Sequence, residues 1–269
     1  MTGKAELKVN FDAMRRIVDL AVRRAVTFMG IGVNAGLAEP PISHLLQGGM
    51  QFKVVPDELT ESQHQDVARE FTSWIIANAF RELAESFSVF LVEIFKAAYV
   101  LQNEPVSHAT WSKAVSRFSR EGVGKQLSVV SIMLGIEETF TPTFVALNQA
   151  RNCLAHRRGV VGLPDATEGG KFVMRWRAFA VTLEDGRDLS LALRDTAPII
   201  IEKDQSISMG MTDREKAFVV GEGIRLDRHD LAEIAMAVHF GCEHVIKGMV
   251  DRARELGKMP PSDPAKTEG

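Results

Sequence analysis

The stretch best equipped for chemistry is Arg151-Asn152-Cys153-Leu154-Ala155-His156, followed at once by Arg157-Arg158-Gly159. Imidazole takes up and returns a proton near neutral pH, and a guanidinium offers a planar fork of donors that matches a phosphate. The pair suits cleavage of a phosphodiester. On a helix, Asn152 and His156 lie four residues apart on one face, while Arg151 is displaced around the axis yet long enough to reach the same space. Arg157 and Arg158 add positive charge for binding an RNA strand. The same residues also admit a structural reading. Arg151 would then make a core ion pair, Asn152 and His156 would satisfy helix-end carbonyls, and Arg157-Arg158 would complement the helix dipole.

Other combinations fall short of a site. Gly30, Gly32 and Gly36 are spaced like a nucleotide-binding glycine loop, but they follow a helical pattern rather than a strand. Gly124-Lys125 resembles the end of a phosphate loop, with Gln126 where Ser or Thr is required. His239, Cys242 and His244 are suitable zinc ligands, but the two histidines diverge in angle on one helix and no partner cluster accompanies them. Neither a metal nor a cofactor is expected. His44, His64, His108 and His229 have no companions, and Trp74 and Trp111 read as core residues.

Arg151-Asn152-x3-His156 resembles the Arg-x4–6-His signature of the HEPN superfamily, in its frequent Arg-Asn-x3-His form. Requiring Asn directly after Arg lowers chance occurrence to about one in a hundred chains of this length. The resemblance implies a helical bundle in which two motif helices meet across a homodimer. It also implies a metal-independent endoribonuclease that cuts RNA by attack of its own 2′-hydroxyl. His156 would be general base or acid, Arg151 would stabilise the phosphorane charge, and Asn152 would orient the pair. A toxin or defence role, with an antitoxin or regulatory protein as partner, is implied by the resemblance alone. The competing expectation is a non-catalytic helical interaction or dimerisation module.

The elements that must position this motif are mainly helical. Residues 10–29 place Phe11, Met14, Val18, Ala21, Ala25 and Phe28 at helical spacing, with Arg15, Arg16, Arg23 and Arg24 on other faces. From 30 to 60, glycines and prolines suggest a long loop. Phe80, Phe87, Ile94 and Leu101 repeat every seven residues, predicting a core helix over 62–103. Shorter helices are expected around Trp111–Phe118 and Gln126–Glu138. The motif helix starts near Pro142 and stops near Gly159. Phe172, Met174 and Trp176 then alternate with basic residues, and Asp185-Gly186 signals a hairpin before Leu189 and Leu191. Ile199–Ile201 and Phe218–Leu226 extend this antiparallel β insertion, at about 171–226, before Asp227 caps the last helix. The expectation is a mainly α fold, a HEPN-like bundle forming one domain over 1–257, with a disordered tail over 258–269.

Composition sets the outer limits. With 45% hydrophobic and 25% charged residues, the 269-residue chain is expected to fold around a sizeable core. A net charge of -3 and a pI near 6.2 exclude a global attraction to nucleic acid and leave any grip on RNA to a local basic site. Cys153 and Cys242 sit in apolar helical patterns, which favours buried thiols and a reducing compartment over a disulfide. The start, Met-Thr-Gly-Lys-Ala-Glu-Leu-Lys, lacks a signal-peptide pattern, and the apolar stretch 71–101 is broken by charges. A cytoplasmic protein without membrane association is expected.

Overall fold

Apolar residues recurring at three- and four-residue intervals build the central element. In a computed structural model describing residues 9–36, 60–103, 106–166, 169–186, 189 and 206–260, α2 (Glu61–Gln102) is one 42-residue helix, about 63 Å long. Thr60 opens it through a capping box: its amide donates to Gln63 Oε1 at 2.8 Å and its hydroxyl accepts from the Gln63 amide at 3.4 Å. Phe80, Leu83, Phe87, Phe90, Leu91 and Ile94 are fully buried. The Phe87 ring stacks on Phe144 with centroids 3.9 Å apart.

Among the described residues, five further α-helices surround α2: α1 (Phe11–Gly36), α3 (His108–Phe118), α4 (Val123–Leu134), α5 (Thr141–Arg157) and α6 (Arg228–Glu255). α1 lies along α2 and α6. It buries Val18, Ala21, Ala25 and Met29, while Arg15 donates to Glu243 Oε2 at 3.0 Å on α6. It also outruns its expected end at residue 29. Gly32 packs so closely on α2 that an added Cβ would stand 2.8 Å from Ile75 Cγ1, and this tertiary contact carries the helix to Gly36. Two apolar assignments change. Phe28 is exposed while its neighbour Met29 takes the buried position, and Trp74 is 61% exposed rather than part of the core. Residues 37–59, the rest of the expected loop, lie outside the described residues.

Among the described residues, the insertion before α6 is a two-stranded antiparallel sheet, β1 (Lys171–Leu183) paired with β2 (Ile207–Val219) in the register Trp176↔Arg214. The inward positions of β1 are those the alternation marks: Phe172, Met174, Trp176, Ala178 and Ala180 are buried. Its partner differs from expectation. Asp185-Gly186 does turn the chain, with Gly186 donating to the Leu183 carbonyl at 2.9 Å, but the pairing strand begins at Ile207 rather than at Leu189. Of the expected continuation, Phe218 lies in β2, residues 220–226 leave the strand, and Ile199–Ile201 fall outside the described residues. β2 carries no apolar alternation because two of its inward positions are Arg214 and Lys216, which meet acids of α6. Lys216 bonds Asp230, and Arg214 Nε lies 3.9 Å from Glu233 Oε1, which sits beside the Trp176 indole N–H bonded to Glu233 Oε2 at 2.9 Å.

Asp227 caps α6 as expected, accepting from the amides of His229 and Asp230 at 2.8 and 3.0 Å. Leu231, Ile234, Val238, Cys242, Val245 and Met249 are all buried. The fold is thus mainly α with a small antiparallel sheet before the last helix. No helix among the described residues is long and apolar enough to cross a membrane. Of the expected tail, residues 261–269 are outside the described set.

Candidate functional site

The motif occupies the last two turns of α5, whose inner face is set by Phe144, Leu147, Ala150, Cys153 and Leu154. These residues pack against α2 and β1. What remains outward is a polar strip on which Asn152 is half-buried and His156 exposed. Arg151 Nη1 donates to Asn152 Oδ1 at 2.7 Å. Its Nη2 approaches Glu85 Oε1 of α2 at 4.0 Å, and the same carboxylate oxygen stands 3.8 Å from Arg81 Nε. The structure therefore joins Arg151 to Asn152 directly. His156 makes no hydrogen bond or ion pair among the described residues. Five residues along a helix place Arg151 and His156 about 140° apart around the axis.

The two following arginines leave this strip. Arg157 turns toward the body of the protein, where its Nε donates to Asp165 Oδ2 at 2.7 Å and its Nη2 to Asp165 Oδ1. Asp165 also accepts from the Gly162 amide at 2.8 Å. Burial would push the Asp165 carboxyl up, but the Arg157 guanidinium and the Gly162 amide outweigh it and hold the carboxyl below its ordinary value of 3.8. Cys153 lies alongside, its thiol donating to the Val160 carbonyl at 3.3 Å. Burial, and next the charge of Asp165, push that thiol up to about 11. It is a protonated packing residue at neutral pH rather than a nucleophile.

Arg158 ends α5 in the left-handed region at φ 53°, followed by Gly159 at φ 77°. The Gly159 amide closes back on the Cys153 carbonyl at 3.2 Å, the geometry by which a helix commonly ends. The Arg158 side chain is 84% exposed and reaches Glu70 Oε1 of α2 at 3.4 Å. Glu85 and Asp165, the acids that hold Arg151 and Arg157, carry no signal in sequence spacing, because α2 and the turn after α5 meet the motif only in the folded chain. His239 and His244 have partners of other kinds: His239 Nδ1 lies 3.0 Å from Asp19 Oδ1, and His244 Nε2 3.1 Å from the Glu137 carbonyl oxygen. Compared with known protein families, characterised proteins and solved structures, the chain matches none.

Proposed function

We propose that the protein is a HEPN-like, metal-independent endoribonuclease, in which two copies of α5 meet across a two-fold axis. The observation that carries this reading is the Arg151–Asn152 hydrogen bond on a solvent-facing strip that ends in an unengaged His156. A purely structural motif would spend Asn152 and His156 on helix-end carbonyls. Instead the end of α5 is closed by the Arg158–Gly159 backbone and by the Arg157–Asp165 pair. That leaves Asn152 and His156 available to a ligand.

Because Arg151 and His156 diverge within one protomer, the site is completed by the second copy. His156 takes the proton of the RNA 2′-hydroxyl as that oxygen attacks the adjacent phosphorus, or returns a proton to the 5′-oxygen that leaves. Arg151 stabilises the charge building on the phosphorane oxygens, and Asn152 fixes the guanidinium fork. The test is incubation of the purified protein with mixed RNAs in EDTA. Cleavage should persist and leave 2′,3′-cyclic phosphate ends, and DNA, which lacks the attacking hydroxyl, should survive. His156→Ala should lose about 10²–10⁴-fold in rate while keeping its fold. Arg151→Lys should also be impaired, since an ammonium does not reproduce the fork. Equal cutting by wild type and His156→Ala overturns the assignment, and failure to cut any RNA favours an interaction module.

A further inference from the structure

α2 begins well before the core does. Its inward stripe, read backward through Phe87, Phe80 and Ile76, continues into Ser73, Thr72, Arg69 and Gln65, so the same face turns from apolar to polar. α5 ends at Arg157, which leaves that polar stretch facing a groove of about 950 Å³. The segment Gly223–Leu226 forms its far wall, held to the end of α5 by the Ile224 amide donating to the Gly159 carbonyl at 2.8 Å. Ile76, Leu154 and Ile224 give the groove an apolar floor. Its rim carries Arg69, Arg158 and Arg225, each from a different element, together with the carboxylates of Asp66 and Glu70.

We propose that this groove binds a nucleoside phosphate, either free or as a unit of an RNA chain. Guanidinium groups match phosphate oxygens in pairs, and the floor offers apolar surface to the nucleoside. The volume is that of a small-molecule site. Arg69 pairs with Asp66 and Arg158 with Glu70. Exposed pairs of this kind contribute little, so a phosphate displaces the carboxylates readily. Arg225 is exposed and makes no ion pair among the described residues. The groove lies on the opposite side of α5 from His156, since Leu154, which lines it, and His156 are two helical residues and hence about 200° apart around the axis. The proposal therefore stands independently of the endoribonuclease reading.

The test is calorimetric titration of the full chain with ATP, with adenosine, and with a short 2′-O-methyl RNA that the 2′-hydroxyl mechanism cannot cleave. Arg158→Gly removes the guanidinium where the backbone already favours glycine, so its melting temperature should not fall. Arg225→Ala removes the second rim charge. Binding of ATP but not adenosine assigns the free nucleotide, and binding of the RNA but not ATP assigns the chain. In either case each substitution should weaken binding by about tenfold or more. A wild-type protein that binds neither, or substitutions that leave binding unchanged, overturns the proposal. Because the readout is binding, failure of the cleavage assay leaves this test intact.

Discussion

Arg157 and His156 are neighbours in the chain with opposite fates. His156 faces solvent, while Arg157 is drawn into the buried carboxylate of Asp165. Removing Asp165 by Asp165→Ala should cost about 1.5–3 kcal/mol at pH 7, the range for hydrogen bonds to a charged group. The carboxyl titrates below 3.8 in the folded protein, so its contribution is complete above the unfolded value and is lost as pH falls through the lower folded one. Urea unfolding at pH 7 and pH 3 should therefore show the gap between wild type and Asp165→Ala shrinking at the acid end. A gap that is constant with pH would mean that the carboxylate charge is not what stabilises the turn. The motif residues themselves were legible from their types and spacing, but Glu85 and Asp165 were not. An acid reveals nothing of which guanidinium it will meet until helices separated in sequence are packed together.

At the scale of elements, two glycines on α1 separate intrinsic helix preference from packing. An added Cβ at Gly30 would meet nothing within 4 Å, whereas at Gly32 it would stand 2.8 Å from both Ile75 Cγ1 and Cγ2. Gly30→Ala should stabilise by about 0.5–1 kcal/mol, because alanine loses less backbone freedom in a helix. Gly32→Ala should instead destabilise by about 1–3 kcal/mol, since Ile75 is branched at Cβ and has little room to turn away. Thermal melts of the two variants moving in the same direction would refute this account of the α1–α2 contact. In the bundle centre, Phe87→Ala should cost about 3–5 kcal/mol, because the ring is fully buried and stacked on Phe144. An unchanged melting temperature would contradict that burial. The seven-residue repeat made α2 legible, and alternation did the same for β1. β2 was hidden because Arg214 and Lys216 point inward, toward acids that only α6 supplies.

For the molecule as a whole, the proposed chemistry requires assembly. Light scattering should show a dimer at working concentration, and substitutions on the outward strip of α5, such as Ala155→Glu at an exposed position, should shift it toward monomer and reduce RNA cleavage together. A monomer at high concentration that still cuts RNA would place the whole site within one chain and overturn the two-copy geometry. The net charge of -3 makes any RNA binding depend on local arginines, so affinity should fall with added salt according to the few phosphates contacted.

The sequence by itself determined the helical class, the capped start of α6, the inward stripe of α2 and the strip that joins Asn152 to His156. Each of these follows from local periodicity or from a cap within one turn, where backbone geometry alone sets which side chains share a face. The tertiary structure decided the rest: that α1 continues to Gly36, that Trp74 stays outside, that Arg157 belongs to Asp165, and that β1 pairs with residues 207–219. Those outcomes depend on which surfaces meet, and a helix or strand carries no record in its own spacing of the partner that will satisfy its charges or fill its gaps.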